Sequence, residues 1–151
     1  MQGGGSKKVK RGQKERSDKD KELTDEKKHE KECTEDRSKK IKAAEKCMSK
    51  MRGDLAAVSV TKAQVEKKAC WGETAAKYLQ EKTDEQLAAV ESLQKTLNEV
   101  QTSTVVVPKK GDDQGVKAWN EALTKLHEEQ EALEKSYKAF VANVLGDFQR
   151  L

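Results

Sequence analysis

Residues 41–60 read IKAAEKCMSKMRGDLAAVSV, and the bulky apolar residues in this stretch recur at alternating strides of three and four. Ile41, Ala44, Met48, Met51, Leu55 and Val58 mark the stride, which continues through Lys62, Val65, Ala69, Gly72, Ala76, Leu79, Thr83, Gln86, Val90, Leu93, Leu97 and Val100. Fourteen of these eighteen positions are apolar, and the four exceptions fall in the middle. A stride that averages half a heptad is the pattern of a helix presenting one narrow apolar seam to another helix. The spacing predicts a single long coiled-coil helix over 24–101, and its sixty-residue seam would span roughly 90 Å at about 1.5 Å per residue. Gly53 lies off the seam and introduces a soft point costing about 1 kcal/mol. Thr61 and Gln64 have capping-box spacing, which permits a break near Ser59, whereas the unbroken phase of the seam favours continuity.

The totals point the same way. Of 151 residues, 34% are hydrophobic, 4% aromatic and 38% charged. An ordinary domain is nearer 45–50% apolar and about 25% charged, so these residues suffice for a seam and hardly for a two-layer core. Pro108 is the only proline, which leaves long helices uninterrupted. No segment approaches the roughly 20 apolar residues of a membrane span, and no apolar leader opens the chain. A cytoplasmic protein, peripheral to membrane at most, is the expectation. Cys33, Cys47 and Cys70 lack metal-ligand spacing and read as free thiols of a reducing compartment.

Net charge is +4 and unevenly placed: residues 1–50 carry 17 Lys/Arg against 11 Asp/Glu, and each of the following two thirds carries 7 against 8. Residues 1–23 read as a disordered basic tail, opened by Gly3-Gly4-Gly5-Ser6 and followed by Lys7, Lys8, Lys10 and Arg11 with no acid among them. It is either a solvated end or an electrostatic contact to anionic lipid or nucleic acid. Aromatic residues do not interleave with its lysines, which disfavours nucleic acid. From Ser17 to Lys40 charges alternate in sign with no apolar seam, as on a solvent-exposed helix that Thr24 would cap.

Residues 102–115 read as a linker, β-branched through Thr104-Val105-Val106-Val107 before Pro108 and turn-like through Gly111-Asp112-Asp113. A second helix over 116–151 follows, with a seam of Val116, Trp119, Leu123, Leu126, Gln130, Leu133, Tyr137, Phe140 and Val144, ending ambiguously at Asp147 or Phe148. Folded back, it reaches from Val65 to Val100 and leaves Ile41, Met48, Met51, Leu55 and Val58 uncovered. Those five residues are therefore the expected interface of a homodimer, or of a coiled-coil protein partner.

Catalytic chemistry finds no foothold. His29 and His127 stand far apart, and His127-Glu128-Glu129 lacks the second histidine of a zinc protease motif. There is no glycine-rich phosphate loop and no nucleophile elbow. No catalytic, cofactor-binding or metal-binding residue is assigned, and no small-molecule substrate is expected. Trp71, beside the seam, either flanks the helix contact or marks a partner site. The fold class expected is all-α: an elongated coiled-coil helical hairpin, dimeric, with a disordered basic start. The function expected is a structural scaffold mediating protein–protein assembly.

Three stretches carry a resemblance. Lys27-Lys28-His29-Glu30-Lys31-Glu32-Cys33-Thr34-Glu35 and Thr61-Lys62-Ala63-Gln64-Val65-Glu66-Lys67-Lys68 are similar to segments of F-BAR domains of the formin-binding, Toca type. Glu128-Glu129-Gln130-Glu131-Ala132-Leu133-Glu134, with Tyr137, Phe140 and Phe148, resembles the helix that packs back in that family. The resemblance implies an antiparallel dimer of bent bundles binding anionic membrane surfaces. It carries the lipid-binding role onto Lys27, Lys28, Lys31, Lys67 and Lys68, to which the tail residues Lys7, Lys8, Lys10 and Arg11 are added as a flexible basic arm.

Overall fold

The computed structural model describes residues 2–68 and 72–149, with side chains described over 19–68 and 72–148. The helices are α1 (Gln2–Glu66), α2 (Gly72–Ser103) and α3 (Asp113–Phe140), which runs through a π-helical turn (Val141–Leu145) into the short α4 (Gly146–Gln149). Among the described residues there is no strand, and the protein is all-α.

The seam of Ile41 to Val100 does not lie on one helix. It divides between α1 and α2, which fold back on each other, so the expected single helix over 24–101 is corrected to a helical hairpin. At the turn, Lys68 N donates to Val65 O at 3.0 Å. Gly72 then starts α2 hard against the last turn of α1, where an added Cβ would stand 2.6 Å from Val65 O. Antiparallel register follows from paired residues along the two helices. Arg52 Nη2 donates to Gln94 Oε1 at 3.2 Å, and Arg37 Nε donates to Thr104 Oγ1 at 2.8 Å. This register sets the bulky section Ile41 to Val58 against the equally bulky Leu79 to Val100. Of the weak middle of the seam, Gly72 is left at the bend, while Thr83 and Gln86 lie within α2.

α3 returns along both. Gln86 Nε2 donates to Ser136 Oγ at 3.0 Å, and Tyr137 Oη donates to Asp54 at 2.8 Å. Ile41, Met48, Met51, Leu55 and Val58 are thereby buried within one chain, with Met48 at 1% and Leu55 at 3% exposure. Their expected role as an interface between chains is corrected: α2 and α3 cover them. Each large apolar side chain so buried contributes about 1.5–3 kcal/mol, which rewards folding the seam on itself over leaving it open. Trp119, Leu123, Leu126, Leu133 and Phe140 close the core from the α3 side, as their spacing predicts.

Further differences are local. α1 begins at Gln2, so its backbone is helical across residues 2–23, where the sequence reads as an irregular tail. Thr24 does not cap a helix; its Oγ1 donates to Asp20 O at 2.7 Å inside α1. The linker is shorter than expected, spanning 104–112. Trp71 and Cys70 lie outside the described residues. The π-helical turn explains the ambiguous end of the second seam. Gly146 N reaches Val141 O, five residues back, and the extra residue rotates the helix so that Leu145 is buried beside Val144. Phe148, not Asp147, then packs on the core.

Candidate functional site

Two arrangements stand out from the packed core. The first is a polar clamp on α1. Counting back from Ile41, the core-facing side of α1 continues through Arg37, Cys33, His29 and Glu26, one helical turn apart. Arg37, His29 and Glu26 meet the end of α2 and the α2–α3 connection, whose backbone groups need partners that an apolar seam cannot supply. Arg37 donates through Nη2 to Gln101 O at 3.3 Å as well as to Thr104, placing a cation where the last carbonyls of α2 lack helical partners. Thr104 is 1% exposed and its hydroxyl donates in turn to Val100 O. His29 Nε2 lies 3.0 Å from Pro108 O, so that nitrogen carries the proton. Glu26 accepts from Lys110 N at 3.0 Å. Asp112 caps α3 by accepting from Gly115 N at 3.0 Å, in a space that a Cβ on residue 115 would fill. Cys33 Sγ sits 3.7 Å from His29 Nε2, and burial, then the charges of Asp36 and Glu32, push its thiol up.

The second is a groove between α1 and α3 with a cavity of about 410 Å³. Met51, Val141 and Ala142 line it with apolar surface, beside Cys47 and the ring of Tyr137. Lys50, Glu134 and Lys138 add charge. Burial pushes the Cys47 thiol up to about 11, with Glu134 adding to the shift by charge and hydrogen bond and Lys50 opposing it. A thiol held neutral is a weak nucleophile. Burial, then the hydrogen bond to Asp54, pushes the Tyr137 phenol up to about 12.

The expected lipid-binding residues are not gathered on one surface. Lys27, Lys28 and Lys31 are exposed at the clamp end, with Lys28 and Lys31 on the side of α1 away from the clamp. Lys67 and Lys68 are exposed at the α1–α2 turn, roughly 55 Å away along the helix. The side chains of Lys7, Lys8, Lys10 and Arg11 lie outside those described. Among the described residues no three His, Cys, Asp or Glu side chains are placed to hold a metal ion, and no helix is long and apolar enough to cross a membrane. His127 is exposed, its Nε2 2.8 Å from Glu131.

Sequence reasoning missed the clamp because it sought a run of apolar residues, and the segment 17–40 offers only the isolated Leu23 and Cys33. The available signal was position. Steps of four, four, four and three residues back from Ile41 stay on its helical face and reach Arg37, Cys33, His29 and Glu26, whereas the alternating stride of the seam leads instead to Thr34, Glu30 and Lys27. Comparison with family models, curated proteins and solved structures finds no match to this chain.

Proposed function

We propose that this protein is a non-catalytic helical scaffold that mediates protein–protein assembly, with the three-helix bundle as its base and the section of α1 ahead of the clamp as its contact arm. One observation carries the reading. Among the described residues Glu26 makes the outermost of the hydrogen bonds joining α1 to the α2–α3 connection, yet α1 begins at Gln2. Twenty-four residues of helix, roughly 36 Å, therefore run ahead of the clamp. The side chains from Lys19 to Asp25 are all exposed. A helix that is polar all round either bridges partners or relies on its own ion pairs. The clamp fixes this arm to the bundle, because Arg37, His29 and Glu26 tie α1 to the connection at its base. A photo-crosslinking residue at Leu23 tests the reading in cells, compared with one at the exposed Glu121 of α3. Adducts concentrated at position 23 support it, and equal labelling at both sites opposes it.

A second reading, binding to anionic membrane surfaces, is favoured by one observation at the same end. Lys27, Lys28 and Lys31 are exposed, and among the described residues none of them forms an ion pair. Each charge near an anionic leaflet adds about 1 kcal/mol. Co-sedimentation with phosphatidylserine vesicles at low and high salt tests it. Salt-sensitive pelleting lost in Lys28→Glu/Lys31→Glu supports the membrane reading, and equal pelleting with neutral vesicles opposes it.

A further inference from the structure

The groove between α1 and α3 is used neither by the clamp nor by the arm. Val141 stands on its wall at 39% exposure, although the core positions on either side of it, Phe140 and Val144, are buried. Met51 and Ala142 extend this apolar surface. The cavity, about 410 Å³, falls within the roughly 300–1,000 Å³ that small-molecule sites occupy. The wall is also the π-helical turn, a distortion found frequently at functional sites.

The charges around it are unequal in availability. Glu134 is engaged, accepting from Gln130 Nε2 at 3.1 Å and hydrogen-bonded to the Cys47 thiol. The Tyr137 hydroxyl is turned to Asp54. Lys50 and Lys138 come from opposite helices, both are exposed, and among the described residues neither forms an ion pair. An apolar floor under two uncommitted ammonium groups is complementary to an amphiphile with one anionic head.

We propose that this groove binds a medium-chain alkyl carboxylate, its chain on Met51, Val141 and Ala142 and its carboxylate between Lys50 and Lys138. Each methylene that reaches the floor should tighten binding by about four-fold, the effect of burying one such group. Titration calorimetry of the full chain with octanoate, decanoate and dodecanoate, below micelle formation, tests this. Dodecyltrimethylammonium and a dodecyl maltoside are the cationic and neutral controls. Saturable one-to-one binding is expected, tightening with chain length, and at least ten-fold weaker for the cation of equal chain. Ala142→Trp, at an exposed position, fills the floor and should abolish binding with helix content unchanged by circular dichroism. Should that variant misfold, Lys50→Glu/Lys138→Glu decides, with an expected loss of ten-fold or more for dodecanoate and a gain for the cation. Absence of saturable binding, equal affinity for the three head groups, or full affinity in a folded Ala142→Trp or in Lys50→Glu/Lys138→Glu would overturn the proposal.

Discussion

Gly53 sits inside α1, about three to four turns before its end, with no neighbouring group within 4 Å of where a Cβ would stand. Its cost is therefore purely the backbone freedom it gives the unfolded chain and the helix propensity it lacks. Gly53→Ala should stabilise the bundle by about 1 kcal/mol, or about 2–4 °C in Tm for a chain of this size, read by thermal circular dichroism. Gly72 is the opposite case, because its Cβ space is occupied by the backbone of α1. Two other residues make stability depend on alkali. The Tyr137 phenol moves from 10.0 to about 12 and the Cys47 thiol from 9.0 to about 11, both led by burial. The folded state thus keeps protons that the unfolded chain has released, and stability must fall as pH rises across this window. Full stability is expected below about pH 9, with a decline from there to about pH 12. The urea midpoint measured at a series of pH values should show that decline, and Tyr137→Phe should flatten its upper part. A midpoint constant from pH 9 to 12 would contradict the assignment.

Among the elements, the π-helical turn has the sharpest consequence. Deleting Ala142 would restore the regular ladder of α3 and turn everything after it by about 100°. Leu145 would leave the core and Phe148 would lose its packing, at a cost of about 2–5 kcal/mol for the equivalent of a large-to-small core change. A drop in urea midpoint with unchanged total helicity is the expected result. A midpoint equal to that of the parent chain would mean that the turn is not coupled to the core. The clamp makes a comparable point about the α2–α3 connection. Its carbonyls and amides are met by charged or polar side chains of α1, so the connection is held although only Val107 of its three valines packs against the core. Val105 and Val106 remain 72% and 80% exposed.

For the whole molecule, the seam Ile41 to Val58 is a core and not a surface. Leu55→Asp places a carboxylate at a site that is 3% exposed, where an unpaired charge is strongly disfavoured. The expected outcome is cooperative loss of helix in the isolated chain, seen by circular dichroism. A fall in assembly mass by light scattering, with helicity retained, would instead show that Leu55 joins two chains. The distinction matters for function. With the seam consumed internally, Ile41 to Val58 is not available as a recognition surface in the folded chain.

Local rules were enough for much of this. A stride of three and four residues, one proline and a surplus of charge dictate helices, their apolar faces and a break before Asp113. Those features arise within a few residues of chain, so they are present in the sequence itself. The pairing of the faces is different in kind. Ile41 to Val58 could be buried equally well by a second chain or by Leu79 to Val100 of its own, because both offer the same apolar stripe. The choice turned on the end of α1 at Glu66 and on Gly72, which lets two helix ends approach. The clamp was hidden for a related reason: Glu26, His29 and Arg37 look like solvated charges until a connection some seventy to eighty residues away supplies the groups they bind. What the sequence determined was which faces needed covering. Only the tertiary structure decided what covers them, since burial rewards apolar contact without specifying the partner.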